Sequence, residues 1–165
     1  MKKLILILIC AIYTDLASAT EQVPDKLIIG KDTICLKSFP LENLNFKKSP
    51  FKYGEFNFPS TECWRGYIAT WEIIKGELYL VSIQNTDSTN KEVNIEKFFK
   101  DNEYEFIVKN GKIKADWYSG ILGKYNSLYR DDSKCICERF DLKSRQKIRI
   151  EIENGIVTYN SYQKE

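Results

Sequence analysis

The sequence contains no histidine among its 165 residues. Histidine is the usual general base near neutral pH and a common metal ligand, so its absence excludes Ser-His and Cys-His nucleophile pairs and histidine metal sites. The G-x-S-x-G, phosphate-binding and dinucleotide-binding glycine patterns are also missing. These absences predict a chain without a metal or a cofactor, and they favour a non-enzymatic protein.

An excess of either charge is missing too. The sequence has 25 basic and 23 acidic residues, which leaves a net charge of +2. Nucleic-acid-binding proteins carry a concentrated basic surface, so we predict no nucleic-acid partner. The hydrophobic content of 43% and the charged content of 29% are typical of a globular protein, and the length suits one domain.

Long apolar runs are limited to one near the N-terminus. Lys2-Lys3 precedes the apolar segment Leu4–Tyr13, which is too short to span a bilayer as a helix. Ala17-Ser18-Ala19 fits the small-x-small pattern of a signal-peptide cleavage site. We therefore predict a signal peptide over residues 1–19 and a single periplasmic or secreted domain over residues 20–165, with no membrane span in the mature chain.

The five cysteines follow from this prediction. Cys10 lies in the apolar run, and its acylation in a lipoprotein is the weaker alternative because a bulky residue precedes it. An oxidising compartment favours disulfides among the other four, Cys35, Cys63, Cys135 and Cys137. A bridge within Cys-x-Cys would be strained, so the two favoured pairings each join the N-terminal third to the C-terminal third. Buried thiols are the alternative.

Three x-Gly turns between alternating apolar and polar runs predict β-hairpins. The turns are Lys75-Gly76, Asn110-Gly111 and Asn154-Gly155. Counting outward from the last turn places Ile152 opposite Val157, and Ile150 opposite Tyr159. Each hairpin then has one apolar face, as a half-buried antiparallel pair requires.

Further elements complete the predicted fold. A strand pair is expected on either side of Gly30, and Lys134–Leu142 is a further predicted strand. The segment Asn94–Lys100 is the one typical of a short helix, with Asn94 as its cap. The prediction is an all-β domain, an antiparallel meander of about eight to ten strands. A barrel, a sandwich and a strongly curved sheet all satisfy this pattern.

One acidic pair is a candidate for catalysis. Counting outward from Asn110-Gly111 places Glu105 opposite Asp116, and like charges in that position are destabilising. Two such carboxylates could act as acid and base on a carbohydrate. The favoured interpretation is a solvated face on which Lys112 or Lys114 neutralises the pair.

Aromatic residues beside glycine and charge suggest a binding surface. Exposed tryptophan, tyrosine and arginine are the usual anchors of protein interfaces. The hairpin registers instead predict that Trp71 and Trp117 lie in the core. The predicted binding residues are Trp64, Arg65, Tyr67 and Tyr118.

Two stretches carry a recognisable pattern. Trp64-Arg65-Gly66-Tyr67 is followed by Thr70-Trp71-Glu72-Ile73, and Ala115-x-Trp117-x-x-Gly120-x-Leu122 comes later. They resemble a group of uncharacterised exported bacterial proteins that share a WRGY-x-x-TWEI … A-x-W-x-x-G-x-L pattern. The resemblance covers most of Phe58–Tyr159 and implies a shared fold. It assigns no catalytic residue.

These observations favour an exported, non-enzymatic module that binds a protein partner. An immunity protein that blocks a toxin in the periplasm is one form of this prediction. The first alternative is an enzyme acting on carbohydrate or peptidoglycan through carboxylates. The second is a carrier with an interior cavity lined by tryptophan and tyrosine.

Overall fold

The computed structural model describes residues 22–51, 61–86, 91–123 and 148–162. These residues form an all-β domain with one short α-helix, α1, as the sequence predicts. The helix spans Ile95–Asp101. The strands are β1 (Asp25–Ile29), β2 (Asp32–Leu36), β3 (Tyr67–Ile74), β4 (Glu77–Asn85), β5 (Val108–Lys109), β6 (Lys112–Lys114), β7 (Gly120–Gly123), β8 (Arg149–Glu153) and β9 (Ile156–Asn160).

Several predictions concern residues outside the described ranges. These are the signal peptide over residues 1–19, the strand over residues 134–142, and any role of Cys10, Cys135 or Cys137.

All three predicted x-Gly turns are confirmed. Lys75, Asn110 and Asn154 have φ angles of 51°, 53° and 48°, and the glycine after each also has a positive φ. Two successive residues in the left-handed region form the tight turn that matches the twist of a hairpin. The turns join β3 to β4, β5 to β6 and β8 to β9, and a further turn at Gly30 joins β1 to β2.

Two hairpin registers shift beyond the point where the turn determines them. In the last hairpin Ile152 lies opposite Val157 as predicted, but a bulge at Glu151/Ile152 places Glu151 opposite Tyr159. The predicted pairing of Ile150 with Tyr159 is therefore wrong. A bulge inserts one extra residue into one strand, so simple counting from a turn fails beyond it.

A similar irregularity interrupts the long β3–β4 hairpin. Trp71 lies opposite Leu80, but the register shifts between Thr70 and Trp71, so that Thr70 lies opposite Ser82. Bulges increase strand bending and twist. Both irregularities lie within strands that curve around the core.

The sheet is mixed rather than a simple meander. Its strand order is β2-β1-β3-β4-β9-β8-β7, with β6 also beside β4 and β5 beyond β6. β1 runs parallel to β3, which the turn pattern did not predict. The amide of Lys37, just after β2, donates to the carbonyl of Gly123 at the end of β7 over 2.9 Å. The two edges of the sheet thus meet, and the sheet is a nearly closed barrel.

The barrel interior is filled by large side chains. Trp71, Leu80, Leu122 and Ile150 are fully buried, and the predicted core position of Trp71 is confirmed. Burying each such side chain stabilises the fold by about 1.5–3 kcal/mol. Trp117 is partly buried and packs against this core.

Helix α1 packs its aromatic residues against one part of this core. Asn94 caps the helix as predicted, because its side-chain oxygen accepts a hydrogen bond from the amide of Lys97 over 2.9 Å. Phe98 and Phe99 are buried, and the ring centroid of Phe99 lies 5.3 Å from that of Trp117. The helix therefore adds an aromatic layer to the interior of the sheet.

Gly155 lies where the last hairpin turn contacts another part of the sheet. Its amide donates to the carbonyl of Tyr118 over 2.9 Å, and its carbonyl accepts from the amide of Leu78 over 2.8 Å. A Cβ atom at this position would lie 2.7 Å from the carbonyl oxygen of Ala115, and φ is +74°. Only glycine fits both the space and the backbone conformation.

Candidate functional site

The four predicted binding residues differ sharply in exposure. Trp64 is 62% exposed, whereas Arg65, Tyr67 and Tyr118 are buried. Among these four, only Trp64 can contact a partner directly without a rearrangement of the fold. Arg65 and Tyr67 belong to the turn itself and to the start of β3, whereas Tyr118 lies just before β7.

Trp64 lies in a tight turn that leads into β3. A 3-10 turn spans Thr61–Cys63, and the amide of Gly66 donates to the carbonyl of Cys63 over 2.8 Å. Gly66 has a φ of 72°, which reverses the chain direction before Tyr67. Cys63 and Arg65 on either side of Trp64 are both buried. The turn thus exposes one aromatic side chain between two buried neighbours.

The segment before β1 holds the backbone of this turn. The Gln22 side chain donates to the carbonyl of Thr61 over 2.9 Å and accepts from the amide of Trp64 over 3.2 Å. The amide of Val23 donates to the carbonyl of Glu62 over 2.7 Å. The indole ring of Trp64 is therefore exposed on a backbone whose Thr61 and Glu62 carbonyls and Trp64 amide are already hydrogen-bonded.

Arg65 points inward. Its Nη1 donates to Oδ1 of Asp25 over 2.9 Å, and its Nη2 donates to the carbonyl of Val23 over 2.7 Å. The guanidinium carbon also lies 3.7 Å from the ring centroid of Phe39, in a cation–π contact. The prediction that Arg65 contacts a partner is not supported by this burial, and its role in the structure is to position the turn.

Asp25 is the buried counter-charge for Arg65. Its carboxylate also accepts from the amide of Ala69 over 3.2 Å and from Nε1 of Trp71 over 3.1 Å. Burial raises the pKa of Asp25, and the Arg65 charge and these hydrogen bonds only partly offset that effect. One carboxylate thus joins the start of β1, the Trp64 turn and β3.

Sequence reasoning missed Asp25. The sequence does contain a signal for its burial. Asp25 lies two positions before Leu27, and residues two apart on a strand share one face. Leu27 is fully buried, so Asp25 had to be buried with it and to find a basic partner.

The two buried tyrosines brace neighbouring segments. The hydroxyl of Tyr67 donates to Oε1 of Glu42 over 2.5 Å. Burial raises the pKa of Tyr67, and the hydrogen bond to Glu42 raises it further. The hydroxyl of Tyr118 donates to the carbonyl of Ile121 over 3.4 Å, and burial raises its pKa as well.

The predicted acidic pair does not form across a strand ladder. The cross-strand hydrogen bond from the amide of Lys114 to the carbonyl of Ile107 spans 2.9 Å, and β6 ends at Lys114. Asp116 lies in the turn that follows, and both Glu105 and Asp116 are exposed. The predicted register is wrong at this point because the chain turns instead of continuing as a strand.

The lysines expected to neutralise that pair bind other carboxylates. Lys114 Nζ donates to Oε1 of Glu77 over 2.7 Å, and Lys112 pairs with Glu72. Tyr79 also donates its hydroxyl to Glu77, over 2.6 Å. The hydrogen bond from Lys114, followed by that from Tyr79, lowers the pKa of Glu77 to about 2. This network lies on the outer face of β3, β4 and β6.

Cys63 is a buried thiol, whose Sγ donates to the carbonyl of Tyr67 over 3.3 Å. Burial raises the pKa of this thiol. Both favoured pairings required Cys63 to form a disulfide, so both are wrong at this residue. Cys35 is buried on β2, and no disulfide joins two described residues.

Within the described ranges, no three metal-ligating side chains come together. The helix in those ranges lacks the length and the apolar content needed to cross a membrane. Comparison of the chain with known protein families, with curated proteins and with solved structures found no match.

Proposed function

We propose that the chain is an exported, non-catalytic module that binds a protein partner through Trp64. The observation that carries the proposal is the 62% exposure of Trp64 on a turn whose flanking residues, Cys63 and Arg65, are buried. Tryptophan is one of the residues enriched at the energetic hot spots of protein interfaces. The signal peptide predicted from the sequence favours an action in the periplasm or outside the cell.

The fixed backbone of the turn supports this role. An anchor that is already ordered loses little conformational entropy when it binds, so more of its burial energy contributes to affinity. Hydrogen bonds from Gln22 and Val23 to the turn, and the ion pair of Arg65 with Asp25, supply that order. An immunity protein that recognises a periplasmic toxin is one partner relationship of this kind.

The experiment compares the parent protein with Trp64→Ala. The tagged protein is first recovered from its native host, and a stoichiometric protein partner is identified and purified. Affinity is then measured by calorimetry. We expect Trp64→Ala to weaken binding by about thirtyfold or more, which corresponds to about 2 kcal/mol.

The matched control is Ile107→Ala, which truncates another exposed apolar side chain, just before β5. We expect this control to bind like the parent protein. Equal affinity of Trp64→Ala and the parent, with both proteins folded by near-ultraviolet circular dichroism, would remove Trp64 from the interface.

A further inference from the structure

An irregular segment crosses the C-terminal end of α1. Residues 44–51, which we call the strap, contain no helix or strand. The strap follows a 3-10 turn over Pro40–Asn43. Nε1 of Trp117 donates to the carbonyl of Pro40 over 3.2 Å. The turn from which the strap begins is therefore bonded to the core of the barrel.

Phe46 joins the strap to the aromatic layer of the core. Its ring centroid lies 4.6 Å from that of Phe98, 5.6 Å from that of Phe99 and 5.3 Å from that of Tyr104. Phe98 and Phe99 are buried, whereas Phe46 is only partly buried. A segment with an irregular backbone and few buried side chains opens more easily than the strands of a sheet. The strap thus covers buried rings with a part of the chain that has little structure of its own.

Two polar contacts hold the strap to the residues that end α1. Nζ of Lys47 lies 2.5 Å from Oε2 of Glu103, and the amide of Lys48 donates to Oδ1 of Asn102 over 2.8 Å. The side chains of Lys47 and Glu103 are 69% and 75% exposed, so their ion pair is weak and sensitive to salt. Asn102 is buried, and its Nδ2 donates to the carbonyl of Phe98 over 2.9 Å.

Glu103 has a backbone conformation that glutamate rarely adopts. Its φ is 62°, its amide donates to the carbonyl of Lys100 over 3.0 Å, and the amide of Tyr104 donates to the carbonyl of Phe99 over 3.1 Å. This is the Schellman pattern of helix ends, in which glycine is the usual residue at the position of Glu103. Glutamate there strains the backbone, and an exposed ion pair compensates little. What glutamate adds over glycine is its contact with the strap.

We propose that the strap opens by itself while the barrel stays folded, and that the ion pair of Lys47 with Glu103 regulates this opening. An open strap uncovers the rings of Phe98 and Phe99. The pair therefore determines how often this apolar surface can be reached from solvent. The proposal does not depend on what Trp64 binds.

Amide hydrogen exchange measured by NMR distinguishes strap opening from unfolding of the whole domain. The amide of Lys48 reports on the strap, because its bond to Asn102 breaks when the strap opens. The amide of Leu78, which donates to the carbonyl of Gly155 over 2.8 Å, reports on the sheet. In the parent protein we expect the protection factor of Lys48 to be at least roughly tenfold lower than that of Leu78. It should also respond more weakly to urea, because strap opening exposes less surface.

Glu103→Gly separates the two kinds of opening. It removes the ion pair, so the protection factor of Lys48 should fall by about twofold to fivefold. It also relieves the backbone, so the protection factor of Leu78 should stay close to the parent value. Lys47→Met removes the same pair without that relief. In this variant Lys48 should lose protection by the same factor as in Glu103→Gly, and Leu78 should lose it by a similar factor.

Glu105→Gln is the matched control, because it removes another exposed carboxylate close to Glu103 in the sequence. We expect both protection factors to keep their parent values in this variant. Raising the salt concentration from about 0.1 M to about 1 M should bring Lys48 of the parent to the value found in Lys47→Met, because salt screens the exposed pair.

Four outcomes overturn the proposal. Lys48 and Leu78 of the parent can show equal protection and an equal response to urea, which means that the strap opens only when the domain unfolds. Lys48 can be unprotected in the parent, or keep its protection in Lys47→Met. In Glu103→Gly it can follow Leu78 instead of Lys47→Met. A loss at Lys48 in Glu105→Gln as large as in Lys47→Met would likewise remove the specific role of Glu103.

Discussion

Asp25 and Glu77 are two carboxylates with similar partners in different surroundings. Asp25 accepts hydrogen bonds from Arg65 and from the indole of Trp71, and Glu77 accepts them from Lys114 and from the hydroxyl of Tyr79. Asp25 is fully buried, whereas the side chain of Glu77 remains partly exposed. Burial raises the pKa of Asp25, while hydrogen bonds lower the pKa of Glu77 to about 2.

The comparison shows that similar bonds have different consequences inside and outside the barrel. Water already solvates the charge of Glu77, so its bonds with Lys114 and Tyr79 add a modest preference for the ionised form. The buried carboxylate of Asp25 has lost its hydration, so its hydrogen bonds and ion pair must first offset that desolvation cost before they add to stability. The Asp25–Arg65 pair therefore positions neighbouring segments, and removal of one partner alone leaves the other charge buried without compensation.

Removal of Arg65 should produce the largest effect. Arg65→Ala leaves the carboxylate of Asp25 buried without its counter-charge, which is expected to lower the free energy of unfolding by about 3–5 kcal/mol. Urea denaturation followed by fluorescence measures the change. The neighbouring Trp64→Ala is the control, because its exposed ring contributes little to the fold. A loss below about 1 kcal/mol in Arg65→Ala would be typical of a surface pair and would contradict its structural role.

The pH dependence of stability should have opposite signs at the two sites. The pKa of Asp25 is raised on folding, so its contribution to stability is complete below its usual value of 3.8 and is lost as the pH rises through the folded pKa. The pKa of Glu77 is lowered from 4.5 to about 2, so its contribution is complete above 4.5 and is lost as the pH falls toward 2.

The measurement is the free energy of unfolding across that pH range for the parent, Asp25→Asn and Glu77→Gln. The difference between parent and Glu77→Gln should shrink as the pH falls from 4.5 toward 2. The difference between parent and Asp25→Asn should shrink as the pH rises above 3.8. Parallel trends for the two variants would show that their surroundings do not differ in this way.

The smallest effect is expected for Lys114→Met on the outer face. The variant removes the main hydrogen-bond donor to Glu77, and we expect a loss of stability well below that of Arg65→Ala. Because ion pairs near water are screened by salt, the loss should diminish between about 0.1 M and about 1 M salt. Denaturation at both salt concentrations checks this, with Lys91→Met as the control for removal of an exposed charge. A loss that does not respond to salt would indicate packing of the lysine stem instead.

The turns of this fold could be predicted because they depend on adjacent residues. Asn110-Gly111 and Asn154-Gly155 have the residue types that accept left-handed backbone conformations, and the hairpins follow from them. The bulge at Glu151/Ile152 and the parallel pairing of β1 with β3 could not be predicted in this way. Both depend on how distant strands curve around a shared interior.

The candidate site was predicted in part for the same reason. The Trp64-Arg65-Gly66-Tyr67 segment contains the residue types of a binding surface. In a tight turn, however, side chains do not alternate regularly between a buried and an exposed face as they do along a strand. Arg65 is buried because Asp25 lies 40 positions earlier in the chain and supplies its counter-charge. A sequence pattern confined to the turn carries no information about that partner.

The contrast between Gly155 and Gly111 bears on how this protein can evolve. Both have positive φ angles, but a Cβ atom at Gly111 would meet nothing within 4 Å, whereas one at Gly155 would approach the carbonyl of Ala115 to 2.7 Å. Asparagine tolerates the left-handed conformation, so natural variation can exchange Gly111 through that residue. At Gly155 a substitution by asparagine would force its Cβ atom against the carbonyl of Ala115. We therefore expect relatives that keep this barrel to keep glycine at this position.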